Sequence, residues 1–358
     1  MSTTQAPRSI ESPPPAATDR RRRTWPLAAY LAAVGVPVLV WNVWTVAAWL
    51  IAGPHEITRY RPHAHAIDWY GARVFEGLAI LIAIAIAIYV YKGCRRARMV
   101  LTFDVLFCLA AATQFWGDAG VNFMAPTITI SSNWVNVNAT CGHMPLVVNP
   151  DCGRTPDPLL FLFLLETFVP LGCAIIFGRL VERVRARRPQ TTTAQLVATV
   201  VAAGFVLALL EPLVIIPLHL WNYPGAKPSI PLGGGFRYPL FEIACFGLWF
   251  GVLASVRIFR NDRGQTIVER GLEHHSPRTR KAIAWLALYT IFQIAIWGFA
   301  SMPYWVIGID QNRWPRQPLQ LVNGMCNAPG VSGTRYGPCP GSPGFRMPVS
   351  GSLPGSSP

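Results

Sequence analysis

Residues 72–91 read ARVFEGLAILIAIAIAIYVY, and the seven that follow, 92–98, read KGCRRAR. After Arg73 and Glu76, no charge interrupts the run until Lys92. Twenty apolar residues at about 1.5 Å rise cross the roughly 30 Å of bilayer hydrocarbon. A strand or loop could not do so alone, because in hydrocarbon each backbone group must be satisfied within the segment. The stretch therefore predicts a transmembrane helix, stopped by the basic cluster Lys92, Arg95, Arg96 and Arg98.

Six further apolar runs meet the same length, at about 25–51, 99–124, 158–180, 192–220, 239–259 and 282–306. The fold class that follows is all-α, a polytopic membrane bundle of about seven transmembrane helices over residues 25–310. Pro37, Pro170, Pro212 and Pro217 lie within these runs and are expected to kink or locally break them. Orientation follows from the basic residues. With the amino terminus in the cytoplasm, 21 of the 31 Lys and Arg fall on the cytoplasmic side. The clusters that abut span ends, Lys92–Arg98 and Arg183–Arg188, count most under the positive-inside rule. The carboxyl terminus is then extracytoplasmic, and the expected location is the cell membrane.

Composition agrees: 52% of the 358 residues are hydrophobic and only 13% charged, where soluble domains run near a quarter charged. The net charge of +14 is spread between apolar segments and forms no single basic face, which argues against a nucleic-acid partner. Arg outnumbers Lys 28 to 3, the bias of a GC-rich bacterial genome. Residues 1–24, Pro- and Ser-rich and closed by Arg20–Arg23, read as a disordered basic tail. The first span is too long, and with Trp41, Trp44 and Trp49 too aromatic, for a cleaved signal peptide. Residues 311–358, rich in Gly, Pro and Ser, read as an irregular extracytoplasmic tail. Cys141 and Cys152 share one outer loop, and Cys326 and Cys339 share that tail. Two local disulfides would suit an oxidising compartment, and pairing between loop and tail stays open. No Cys or His spacing of metal-site type occurs, so no metal or cofactor is expected.

Ionisable residues inside spans are costly and usually face a bundle interior or cavity. Here they are Glu76, Asp104, Asp118, Glu166, Glu211 and Glu242. All but Asp104 fall in the outer halves of their spans, so five helices aim carboxyls into one depth band. Gln114, Asp118 and Asn122 recur every four residues, one polar stripe on an α-helix, with Trp116 between. Gln293, Trp297 and Ser301 repeat that spacing in the last span. Glu211-Pro212 continues outward to His219, Trp221 and Tyr223. Together these predict an apolar pocket with Trp walls and convergent carboxyls, open to an amphiphilic ligand from the outer leaflet. Plainer roles compete at some positions. Arg73 and Glu76, three apart, suit a structural ion pair. Asp104 suits water or an Arg at the cytoplasmic end. Glu242 suits a helix amino terminus, and His219 an interface boundary. Asp118 with Asn122, Glu166 and Glu211 resist such explanations best.

Two motifs, Phe115-Trp116-Gly117-Asp118-x-x-x-Asn122 and Glu211-Pro212 followed by Trp221-x-Tyr223-Pro224-Gly225, carry a family likeness. The chain resembles the AveC-like spirocyclases, actinobacterial membrane proteins typified by the avermectin-pathway spiroketal cyclase, over roughly residues 25–310. The resemblance implies a cofactor-independent cyclase or dehydratase of secondary metabolism, acting on an amphiphilic polyketide- or lipid-like substrate. Spiroketal formation joins two hydroxyls to one ketone with loss of water. It needs an acid for the departing hydroxyl, a base for the attacking one, and negative charge near an oxocarbenium-like cation. Carboxyls in a poorly solvated pocket suit all three. The assignment is Asp118 as acid, Asn122 orienting it, and Glu211 or Glu166 as base and cation stabiliser. Glu76, Gln114, Trp116, His219, Trp221, Tyr223, Glu242, Gln293 and Trp297 would line the substrate site. Two other classes compete: a small-molecule or lipid transporter, and a non-catalytic seven-helix scaffold or sensor using the 260–281 loop with His274-His275.

Overall fold

The computed structural model describes residues 25–57, 66–149, 152–307 and 317–322. Six helical stretches are long and apolar enough to cross a membrane. They comprise α1 (Leu27–Ala52), α2 (Ala66–Ala97), α5 (Leu159–Arg187), α6 (Thr193–Ala208), α7 (Leu240–Ile258) and α8 (Pro277–Ala295). The π-turn Glu211–Ile215 extends α6, and the π-turn Ile296–Ser301 with α9 (Met302–Ile307) extends α8. Pro37 and Pro170 sit inside α1 and α5 without ending them, whereas Pro212 coincides with the π-turn after α6.

The run at 99–124 is not one continuous helix, which corrects the expectation for that segment. It breaks into α3 (Phe103–Ala111), α4 (Gln114–Asp118) and a 3-10 turn over Ala119–Asn122. Local chemistry explains the break. The Thr113 hydroxyl donates to the Ala110 carbonyl at 2.6 Å, competing with helix continuation at that point. Gly117 and Gly120 then bring the backbone against Ile296 and the Trp297 ring, where a methyl group on Gly120 would overlap the indole. The interrupted segment packs between α5 and α8.

Small residues set the other close helix contacts, as they do where apolar lipid gives helices no hydrophobic reason to pair. On α6, Gly204 lies directly against the carbonyl of Gly247 on α7, leaving no room for a side chain. Between α1 and α8, Gly35 faces Thr290, whose hydroxyl lies 2.7 Å from the Leu31 carbonyl.

The two ends of the bundle differ. At one end the connections at 98–102, 188–192 and 259–276 are short, and the Arg257 guanidinium grips Asp104 at 2.8 Å. The other end carries a cap of irregular chain and three two-stranded antiparallel ladders: β1 (Thr129–Ile130) with β4 (Trp221–Asn222), β2 (Asn136–Asn138) with β3 (Pro156–Pro158), and β5 (Ser229–Gly233) with β6 (Phe236–Pro239). A Cys141–Cys152 disulfide closes part of the cap. Its buried amides serve as internal hydrogen-bond partners. Asn138 and Asn136 accept from the backbone of His55 and Ile57, and Trp49 donates to the Asn138 carbonyl at 2.9 Å. The late segment 317–322, containing α10 (Leu319–Val322), docks here as well. Gln320 donates to Asp68 at 2.6 Å, and Asn222 donates to Gln317 at 2.6 Å. That segment belongs to the tail read from 311, the rest of which lies outside the described residues. Cys326 and Cys339 lie outside the described residues.

Candidate functional site

Beneath the cap, α5, α6 and α7 enclose a cavity of about 150 Å³. Three carboxyls line it: Asp118 from the interrupted segment, Glu166 from α5 and Glu211 from the π-turn that extends α6. The wide π-turn follows directly from Glu211-Pro212, since proline cannot donate the helical hydrogen bond and its ring crowds the preceding turn. The rest of the wall is aromatic and aliphatic, with Phe161, Trp221, Tyr223 and Trp249 prominent. No Lys, Arg or His is among the described residues that line it.

The carboxyls are held differently. Glu211 Oε1 accepts from the Trp221 indole and the Tyr223 hydroxyl, both at 2.6 Å, and its Oε2 has no partner among the described residues. Glu166 is fully buried, and neither of its oxygens has a hydrogen-bond partner among the described residues. Asp118 presents its carboxyl to the cavity directly. A fourth acid, Asp157 in β3, sits just beyond, with Oδ2 unpartnered. Burial, and then the charge of Asp118, push the Asp157 carboxyl well above the usual range. A further carboxyl–phenol pair stands behind the wall. Tyr304 donates to Glu242 at 2.6 Å, and its ring stacks on Tyr223 with centroids 5.4 Å apart.

Of the residues expected at the site, Asp118, Glu166, Glu211, Trp221 and Tyr223 converge on the cavity, and Glu242 joins them through Tyr304. Others go elsewhere. Glu76 pairs with Arg73 at 3.0 Å and accepts from the Val135 backbone at 2.6 Å, the structural role its spacing allowed. His219 lies 3.2 Å from Asp68 and stacks on Phe236. Asn122, expected to orient Asp118, instead folds the turn after it: its Oδ1 accepts from the backbone of Thr127 at 2.7 Å and of Ile128 at 3.1 Å. The reason is winding. Residues four apart nearly align on an α-helix, but a 3-10 turn at 3.0 residues per turn sets them about a third of a turn apart. Gln114, Trp116, Gln293 and Trp297 are not among the residues that line the cavity. Trp116 packs on Trp49, Gln114 donates to the Phe292 carbonyl, and Gln293 meets Thr113.

Sequence reasoning missed Asp157 and Tyr304. Asp157 stands outside every apolar run, although its place between Pro156 and Pro158, at the mouth of α5, was a usable signal. Tyr304, beside Pro303 at the outer end of the last span, is one aromatic among many there, with no spacing to mark it. Among the described residues no group of three or more His, Cys, Asp or Glu is placed to hold a metal ion. Carboxyls in such a cavity can act as proton donors and acceptors, or face a positive centre on an apolar ligand.

Compared with known proteins, the chain matches a family model described as "Spirocyclase AveC-like" over residues 95–320. That stretch runs from the end of α2 through the docked Gln320 and contains every wall of the cavity. No curated protein and no solved structure matches the chain.

Proposed function

Because the chain belongs to the AveC-like spirocyclase family, we propose that it is a membrane-embedded, acid–base cyclase that closes a spiroketal from a dihydroxy ketone on an apolar skeleton. The single observation that carries this reading is the set of three carboxyls facing one apolar, aromatic cavity with no Lys, Arg or His among the described residues that line it. In this reading one substrate hydroxyl adds to the ketone to give a hemiketal. Asp118 then protonates the hemiketal hydroxyl, which departs as water and leaves an oxocarbenium-like cation facing Glu166. Glu211 Oε2, free while Oε1 is fixed by Trp221 and Tyr223, accepts the proton of the second hydroxyl as its oxygen closes the ring. Proton return from Glu211 to Asp118 resets the site, and one water is lost overall. Each such proton transfer is worth about 10²–10⁴-fold in rate.

The orientation proposed with it places the cap outside and both the short connections and the amino terminus in the cytoplasm, with the interrupted segment as a seventh crossing. Basic clusters next to the short connections support this, as does the Cys141–Cys152 disulfide in the cap, a bond suited to an oxidising compartment. The substrate would reach the cavity from the outer leaflet, past α6 residues such as Leu210 that line it and are exposed on the bundle surface.

The test is metabolite profiling of the host with the gene intact, deleted, and restored as Asp118→Asn. A compound that accumulates on deletion, exceeds its product by one water, and stays accumulated with Asp118→Asn is the expected result. Identical profiles in all three strains would overturn the assignment.

A further inference from the structure

The face of the interrupted segment turned away from the carboxyls holds a second polar cluster, built from Asn42 of α1, Tyr289 and Gln293 of α8, and Thr113. Its hydrogen bonds can be oriented without ambiguity. Gln293 Nε2 lies 3.4 Å from the Thr113 carbonyl, an acceptor only, so the Gln293 amide points its nitrogen there and its Oε1 elsewhere. Trp297 Nε1, a donor only, confirms this by donating to Gln293 Oε1 at 3.3 Å. Asn42 must then present its nitrogen to that oxygen, at 3.0 Å, and its second N–H goes to the Tyr289 hydroxyl oxygen at 2.6 Å.

Two groups are left over. Asn42 Oδ1 is buried and accepts from nothing among the described residues. The Tyr289 hydroxyl accepts from Asn42, and its own hydrogen has no acceptor among the bonds it forms. Buried amide oxygens are seldom left unpaired, because the unmet desolvation costs about 1–3 kcal/mol. Both residues line a groove of about 380 Å³ whose remaining wall, apart from Thr113, is apolar: Leu39, Val43, Val46 and Leu50 of α1, with Trp116. Val43 and Leu50 are exposed on the outer surface of the bundle, so the groove opens where lipid would lie.

We propose that this groove is a second ligand site, one that takes a hydroxyl carried on an apolar skeleton. One hydroxyl meets both needs, donating to Asn42 Oδ1 and accepting from Tyr289. A ketone or ether supplies only the acceptor, and an alkane supplies neither. Depth narrows the class further. Asn42 lies ten residues before the end of α1, about 15 Å along the helix. A hydroxyl at that depth belongs to the middle of a chain or ring system rather than to a lipid headgroup, so the ligand class is a mid-chain secondary alcohol. The site does not depend on the cyclase reading, since it shares no residue with the carboxyl cavity.

The test uses the full chain in lipid nanodiscs and a 10-nonadecanol probe bearing a photoreactive diazirine, with labelled peptides mapped. Labelling of the 39–50 and 113–116 peptides should be competed by 10-nonadecanol, about tenfold less by 10-nonadecanone, and not by nonadecane. Asn42→Leu removes the acceptor that only the alcohol can use, and should abolish the preference for alcohol over ketone. Tyr289→Phe removes a donor that both can use, and should weaken both competitors while keeping the preference. Asp118→Asn should leave labelling and preference intact. Equal competition by nonadecane, or an alcohol preference that survives Asn42→Leu, would overturn the site. Loss of labelling with Asp118→Asn would show that the probe occupies the carboxyl cavity, and would overturn it too.

Discussion

The two faces of the interrupted segment at 103–122 solve the same problem in opposite ways. Toward α8, polar groups answer one another: Asn42, Gln293, Thr113 and Trp297 are joined in one hydrogen-bonded chain. Toward α5 and α6, Asp118, Glu166 and Asp157 lie close together, and among the described residues no cation lines their cavity and Glu166 has no hydrogen-bond partner. A buried network bonded at most of its groups, with Asn42 Oδ1 the exception, rigidifies a bundle, whereas buried carboxyls with so few partners cost stability and persist where chemistry uses them. The same short segment thus serves as an anchor on one side and as a reactive wall on the other.

That contrast is most open to breaking at Asp118. Asp118→Asn is expected to lower product formation by about 100-fold or more while leaving the thermal unfolding midpoint in detergent close to that of the parent. An equal loss of folding would make the carboxyl face structural as well. The mirror experiment is Gln293→Leu, which strands Trp297 Nε1 and one N–H of Asn42. It should cost about 1–3 kcal/mol per stranded group, read as a lower midpoint, before any effect on turnover. Tyr304→Phe is a smaller change, because it removes a single donor from Glu242. A loss of about 1–2 kcal/mol is expected, with turnover falling only as far as Tyr223 shifts.

The smallest effect is one of pH. The Asp157 carboxyl is raised in the folded protein, so the folded state holds its proton more tightly than the unfolded one. Stability is then fullest below the unfolded value of about 4 and declines as pH rises from there through the raised folded value. Asp157→Asn should flatten that decline in denaturant titrations run across the acidic range. An unchanged slope would place the titration elsewhere.

The helices were legible because length and apolarity are local properties. The run from Ala72 to Tyr91 needs no partner to be read, nor does the pairing of Arg73 with Glu76. The carboxyls at Asp118, Glu166 and Glu211 were legible for a related reason, since a charge inside an apolar run advertises its cost. What escaped depends on contacts distant in sequence. Gly117 and Gly120 are shaped by Ile296 and Trp297 on α8, and the resulting 3-10 winding turned Asn122 away from Asp118. The only local hint at Asp157 is its flanking by Pro156 and Pro158, because what buries it is the cap. The cap itself was read only as loops: ladders of two or three residues, such as Thr129–Ile130 with Trp221–Asn222, are too short for any periodicity to mark.

The docked segment at 317–322 also bears on the order of synthesis. The cavity takes a wall from β4, whose Asn222 is braced by Gln317, and the cap is tied to α2 by Gln320. Both braces emerge only after the last helix has been made. A nascent chain therefore carries Asp118 and Glu166 into the bilayer well before their enclosure exists. During that interval the half-built bundle is the form most exposed to proteolytic quality control, and completion of the lid marks the moment at which the protein becomes durable.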